Sequence, residues 1–187
     1  MSSIIINNLL GIENKSYLEL GVFKNHNFKA IRAKEKFSVD ILPDCAMFTG
    51  TTDEYFAQLP SDTKFDIIFI DANHNYEYVL RDFNNAQKHC NEWILIHDMI
   101  PPNREQCQSQ YCSDSFRFLT FLLKDTNFEV YPMDNNFGLT LIKMPAHFVF
   151  PDESYVTLDY DVFTKFLETQ KLYTDDEIIG VLNKQGI

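Results

Sequence analysis

Basic charge is scarce in this chain: 16 Lys and Arg stand against 27 Asp and Glu, a formal net charge of −11 over 187 residues. A surface of that sign repels phosphate, which argues against a duplex nucleic-acid partner and against an anionic membrane surface. Long hydrophobic runs are lacking as well. No stretch approaches the roughly 18 apolar residues that a membrane-crossing helix needs. The apolar run Met1–Leu10 has no basic leader and no small-residue cleavage site, so no secretion signal is expected and the protein is placed in the cytoplasm. Cysteine is sparse and unpaired in pattern. Cys45, Cys90, Cys107 and Cys112 form no C-x-x-C, and scattered thiols of this kind read as reduced cysteines rather than a zinc or disulfide framework. Glycine is thinnest where it would matter most. Of six glycines, one stands in the stretch Gly21–His26, so the G-x-G-x-x-G that seats a pyrophosphate on a helix N-terminus is missing. That counts against an NAD-linked oxidoreductase.

What is abundant is aromatic, with 17 Phe and nine Tyr, most of them read as core. Short apolar runs alternate with longer amphipathic segments, the rhythm of a parallel α/β sheet. Strands are expected at Ser16–Leu20, Phe37–Ile41, Ala46–Thr49, Phe65–Ile70 and Glu92–His97, then at Phe128–Tyr131 and Leu139–Lys143 around the turn Asp134–Gly138. Helices are expected at Asn27–Lys34, from Thr51 through Leu59, and at Tyr76–Cys90, Phe116–Leu123 and Asp175–Asn183. Phe65–Ile70, FDIIFI, has the unbroken β-branched and aromatic character of a central strand buried on both faces. Residues 1–187 read as one domain, with a core of about 16–143, an antiparallel edge at its end, and a tail over 144–187 that is acidic from Asp152 onward.

In an open parallel sheet, ligands bind beyond the carboxyl ends of the strands. Nearly every predicted strand here ends in a polar residue. Gly21 lets backbone approach a ligand closely, and Glu19, two residues earlier, can orient that loop or meet a cationic amine. Asp40, nineteen residues after Gly21, can accept from both hydroxyls of a ribose. In the turn Thr51-Thr52-Asp53, Thr52 or Asp53 caps the next helix, and a residue there can also face an adenine edge; the two roles are compatible. A cofactor without phosphates, carrying a cationic amino acid and a nucleoside, suits these positions better than a dinucleotide. The densest chemistry is Asp71-Ala72-Asn73-His74-Asn75-Tyr76 beside His97-Asp98. Asp71 and Asp98 offer hard oxygen ligands to Mg²⁺ or Ca²⁺. His74, or failing it His97, is a candidate general base for a substrate hydroxyl. In the structural alternative His97 and Asp98 hydrogen-bond loop backbone and Tyr76 only packs.

At these residues the sequence resembles the class I S-adenosylmethionine-dependent methyltransferases, and within them the small methyltransferase-24 type. The similarity lies in YLELGV (17–22), SVDI (38–41), FDIIFIDANHNYEYVLRDF (65–83) and WILIHDMIP (93–101), with weaker matches in SDSFRFL (113–119) and GLTLIK (138–143). The resemblance implies a Rossmann-like, mostly parallel seven-stranded sheet with an antiparallel C-terminal hairpin strand and helices on both faces. It implies contacts to S-adenosylmethionine from Glu19, Gly21, Val22, Asp40, Thr51, Thr52, Asp53 and Asp71. It further implies catalytic roles for Asp71, His74 and His97, and in some related O-methyltransferases the acids matching Asp71 and Asp98 bind a divalent metal such as Mg²⁺. The departure from the family is in the first motif, where Phe23, Lys24 and Asn25 follow Gly21 in place of further glycines and would narrow or reshape the cofactor loop. With only sixteen residues ahead of the first motif, the acceptor pocket is expected from the 99–115 loop, the tail, or a partner subunit in a homo-oligomer. The expected acceptor is a small molecule, methylated on oxygen: a sugar, polyol or phenol. The alternative is a non-catalytic module that keeps the fold and the cofactor; a nucleic-acid methyltransferase is disfavoured by the charge and by the absence of an N-P-P-Y-like motif.

Overall fold

A computed structural model describes residues 2–11, 14–108, 111–124, 128–135, 137–145 and 159–184. The expected start of the acidic tail at Asp152, part of the 99–115 loop and one residue of the 134–138 turn lie outside these residues.

The strands are β1 (Ser16–Leu20), β2 (Glu35–Asp40), β3 (Phe48–Thr49), β4 (Phe65–Ile70), β5 (Cys90–Ile96), β6 (Glu129–Pro132) and β7 (Thr140–Lys143). They form one seven-stranded sheet in the order β3-β2-β1-β4-β5-β7-β6. All pairings from β3 to β5 are parallel, and β7 runs antiparallel to both its neighbours. The chain passes β5, lays down β6 at the edge, and returns through β7 into the gap. Pro132 is tolerated because β6 is an edge strand, where a missing N–H costs no ladder bond.

β4 shows why the sheet is covered on both faces. Its side chains alternate between two cores, as the two-residue period of a strand requires. Ile68 and Ile70 join Leu18, Leu20, Ile94 and Ile96 on one face. Ile67 and Phe69 join Tyr17, Trp93 and Leu95 on the other. The first face is covered by α3 (Thr52–Gln58), α4 (Tyr76–His89), α5 (Phe116–Lys124) and α6 (Tyr160–Leu167), and the second by α1 (Ser2–Leu10), α2 (His26–Ala30) and α7 (Asp175–Lys184).

The main differences from expectation lie in the helices. The apolar run at the start of the sequence is helix α1, with Ile5, Ile6, Leu9 and Leu10 buried, and it packs on α7 and α2. Spacings of one, four and five residues put these side chains on one stripe, so the run is a docking face. The expected helix over 27–34 ends at Ala30, where Ile31 turns extended and its N–H bonds to the Phe28 carbonyl. Lys36 then donates to the carbonyls of Phe28 and Ile31, satisfying the freed helix end. Helix α6 falls in the tail, over residues where no helix was expected; Phe163 anchors it in the core against Phe116.

Gly180 sits in the interior of α7, and a Cβ added there would meet no heavy atom within 4 Å. Gly180→Ala is expected to raise stability by about 0.5–1 kcal/mol, read as a higher urea midpoint at unchanged slope. A lower midpoint would mean that α7 needs the flexibility.

Candidate functional site

Strand order reverses between β1 and β4, and the crevice beyond their carboxyl ends is where such sheets hold ligands. Gly21 closes one wall of it. Its φ is +84°, and a Cβ would lie 2.2 Å from the Asp71 carbonyl oxygen and 2.6 Å from the Ala72 Cα. Two requirements therefore coincide at one position, left-handed backbone and contact with the β4 end, and only glycine meets both. Residues other than glycine carry the rest of the loop. Phe23 and Asn25 hold φ of +46° and +62°, the region glycine favours. Asn25 also ties the loop to the next one by donating to the Cys45 carbonyl.

Asp40 fastens the same turn. Its Oδ2 accepts from the N–H groups of Val22 and Phe23, each at 2.8 Å, and its Oδ1 from Leu42 at 2.8 Å. Burial works against the charge, but the three donors outweigh it and the carboxyl sits below its usual range. Val22 is placed by this bond, and its side chain is buried on the second core.

Glu19 is buried to 1 % exposure at the end of β1. Its Oε2 accepts from the Tyr17 hydroxyl at 2.6 Å and from the Asn27 amide at 3.0 Å. Burial dominates and pushes the carboxyl up to about 7, with nearby Asp71 adding to the rise and Lys36 opposing it. Tyr17 and Asn27 were not among the residues singled out in the sequence. The signal for Tyr17 is its place two residues before Glu19, hence on the same face of the strand.

The turn Thr51–Asp53 has other partners. Thr51 is the N-cap of α3, its hydroxyl accepting from the Glu54 N–H while Glu54 reaches back to the Thr51 N–H, a reciprocal capping box. Thr52 donates to the buried Asp82, and Asp53 pairs with Arg81 and Asn85 at 3.0 Å each. The side chains that were candidates for an adenine edge dock α3 onto α4.

Across the crevice, at the ends of β4 and β5, Asp71, His74, His97 and Asp98 form one cluster. His74 Nε2 lies 3.4 Å from Asp71 Oδ1 and 3.4 Å from Asp98 Oδ2. His97 Nδ1 lies 3.4 Å from Asp71 Oδ1 and 3.1 Å from Asp98 Oδ1. Asp98 takes φ +58°, the left-handed region that Asp tolerates better than most residues, and Ser115 holds its carbonyl at 2.5 Å. Burial disfavours a charged His97, but bonds to the two carboxylates prevail and raise it to about 10. His97 thus stands as a charge partner to both acids.

His74 differs. Its Nδ1 bonds to the Tyr111 carbonyl, and since a carbonyl can only accept, Nδ1 carries the hydrogen. In the neutral ring, Nε2 then presents a lone pair to two carboxylates, and this buried atom has no hydrogen-bond partner. That arrangement calls for a cation between the three groups, a proton or a metal ion. The ligand atoms of Asp71, His74 and Asp98 lie within 4.8 Å of one another. The residues fit a divalent ion, with His74 joining the two acids expected from sequence.

The 111–117 segment builds the outer wall. Asp114 accepts from the Tyr76 N–H at 2.6 Å and pairs with Arg117 at 2.8 Å, while Arg117 stacks 4.4 Å over the Tyr76 ring. An open cleft of about 320 Å³ lies between this segment and the start of α4, with mostly polar walls. Tyr160 of α6 bonds to the Pro101 carbonyl at 2.9 Å, bringing the tail onto the loop after β5.

Residues 12–99 match the family described as a methyltransferase domain. No curated protein matches. Among solved structures, cofactor-bound Rv0187 from MTB is similar with a TM-score of 0.62 at 12% identity, over 78% of this chain and 79% of that one. The O-methyltransferase TomG from Streptomyces achromogenes, involved in tomaymycin synthesis and solved with SAM, gives a TM-score of 0.57 at 13% identity, over 77% and 79%. The MycE methyltransferase of the mycinamycin biosynthetic pathway, in complex with Mg, SAH and mycinamycin VI, gives 0.50 at 13% identity; 88% of this chain covers 53% of that one. The fold is shared with these solved methyltransferase structures, and residues 12–99 match the methyltransferase-domain model. No described helix is long and apolar enough to cross a membrane.

Proposed function

We propose that this methyltransferase transfers the methyl group of S-adenosylmethionine to an oxygen of a small polar acceptor, such as a sugar, polyol or phenol. The observation that carries the reading is the pairing of two sites across one crevice. On one side a glycine turn is flanked by carboxylates, Glu19 and Asp40, where a dinucleotide site would need phosphate donors. On the other stands a cluster, Asp71, His74 and Asp98, whose ligand atoms lie within 4.8 Å of one another.

S-adenosylmethionine, when bound, supplies a methyl group on a sulfonium, open to in-line displacement. The chain's part is to hold the reactants in line and to take the acceptor's proton. Glu19 meets the amino group of the cofactor's amino acid, and Asp40 keeps its three backbone donors while its remaining lone pairs face ribose hydroxyls. Asp71, His74 and Asp98 would hold a divalent ion, which would acidify and orient the acceptor hydroxyl. Without the ion, His74 Nε2 is the atom placed to receive that proton. The −11 charge and the polar cleft favour a neutral or basic small acceptor over nucleic acid or a membrane.

Calorimetric titration with S-adenosylmethionine and S-adenosylhomocysteine, with and without Mg²⁺ or Mn²⁺, tests this directly. Micromolar binding of both is expected, with metal altering the acceptor step. The pH dependence has a defined sign. Glu19 is neutral below about 7 and charged above it, and only the carboxylate pairs with an ammonium. Affinity should therefore rise from pH 6 to pH 8, approaching about tenfold per unit below the midpoint. For the unliganded fold the sign is opposite. An acid whose folded pKa is raised contributes stability at low pH that is lost as pH rises through about 7. Absence of binding under every condition would overturn the enzyme reading; binding without turnover over a broad acceptor panel would favour a non-catalytic module.

A further inference from the structure

We propose that Tyr17 and Asn27 are positioning residues that fix Glu19 so that one of its carboxylate oxygens is occupied by the protein and the other is left for the cofactor's ammonium group. The inference rests on the assignment of Glu19 to that amino group.

Both protein donors converge on a single atom. Tyr17 Oη donates to Glu19 Oε2 at 2.6 Å and Asn27 Nδ2 to the same Oε2 at 3.0 Å, while Asn27 also lies 3.4 Å from the Tyr17 oxygen. Among the described residues none donates to Oε1, yet Oε1 is not among the sealed, unpartnered buried atoms. A carboxylate that served only the fold would be expected to use both oxygens, because an unpaired one in an apolar setting is costly. Here Glu19 stands beside Tyr17 on its own strand and Phe69, its register partner on β4, both members of the second core. The bonding is asymmetric: both donors, one from β1 and one from α2, meet Oε2.

The donors suit the task. Tyr17 is fully buried, and burial, followed by the charge of Glu19, pushes its hydroxyl far up, so it remains a donor. Its ring stacks on Phe28 at 6.3 Å between centroids, which fixes the hydroxyl. Asn27 comes from α2, the helix that follows the glycine turn, so the bond joins the cofactor loop's far end to β1. Two short neutral donors can orient a carboxylate without neutralising it. A lysine or arginine in their place would satisfy the charge that the ligand's ammonium is needed to meet.

The test compares two ligands that share the nucleoside and the thioether. S-adenosylhomocysteine carries the amino-acid ammonium; 5′-methylthioadenosine does not. Tyr17→Phe keeps the ring and its packing but removes the donor. It should weaken S-adenosylhomocysteine binding about tenfold, the range of a hydrogen bond to a charged group, and leave methylthioadenosine binding within about twofold. Asn27→Leu should act in the same direction, and Glu19→Gln should abolish the preference for the ammonium-bearing ligand. Equal losses for both ligands in Tyr17→Phe would show a structural role and overturn the inference, as would no loss for either. If wild-type protein binds both ligands equally, Glu19 does not meet the ammonium and the inference falls while the methyltransferase reading stands. If it binds neither, both fall.

Discussion

Gly21→Ala should lose about 3 kcal/mol or more of folding stability, one of the larger single-residue effects open to this chain. Two mechanisms add at this site. An alanine at φ +84° is strained by about 1–2 kcal/mol, and its methyl would sit 2.2 Å from a backbone oxygen that is not free to move. The contact is with Asp71, itself held by its N–H to the Leu20 carbonyl at 2.8 Å, so relief would mean parting β1 from β4 in the middle of the sheet. Gly11 is the natural control. It has φ +60° and open space around its absent Cβ, so Gly11→Ala should show the strain alone, about 1 kcal/mol. Urea unfolding of the two variants separates the contributions. Similar losses in both would mean that the crevice opens easily and that Gly21 is there for conformation only.

Asp98→Asn should lower turnover at least about 100-fold while leaving S-adenosylhomocysteine affinity within about threefold. The amide keeps the shape and tolerates the left-handed φ of +58°, so the change is nearly pure chemistry. It removes one of two negative charges facing His74 Nε2 and one of the two acids holding His97. Loss of a charged ligand or orienting carboxylate at a reacting centre commonly costs this much in rate. Kinetics with saturating cofactor, set beside calorimetry, distinguish the outcomes. A parallel collapse of cofactor affinity would place Asp98 in the cofactor site; unchanged turnover would remove the cluster from the reaction altogether.

The strand ends were readable from sequence because the rule that governs them is local. A strand such as Phe65–Ile70 announces itself by composition, and Asp71 must then follow at its carboxyl end; the same logic finds Gly21, Asp40 and His97-Asp98. What escaped depends on contacts far along the chain. The hydrogen position on His74 is set by the Tyr111 carbonyl, 37 residues away, and nothing in the D-x-x-H spacing contains it. The capping of α3 by the Thr51–Asp53 turn was visible in sequence, but the docking of Thr52 on Asp82 was not, because it depends on the placement of α4. Helices α1, α2 and α6 are short enough that tertiary packing, more than intrinsic propensity, decides where they start and stop.

The turn after β1 holds Phe23 and Asn25 in left-handed backbone, the region a glycine would reach without strain. Glycine reaches that region freely but also visits everything else, so a glycine-rich loop must be frozen each time a ligand arrives. Phe23 and Asn25 have fewer unfolded alternatives and are pinned through Asp40 and Cys45. The strain is carried permanently by the folded state, so less order has to be created at the moment of binding. Such a loop trades adaptability for readiness: it should accept a narrower range of cofactor analogues than a loop of three glycines, and take hold of the correct one with a smaller entropic penalty.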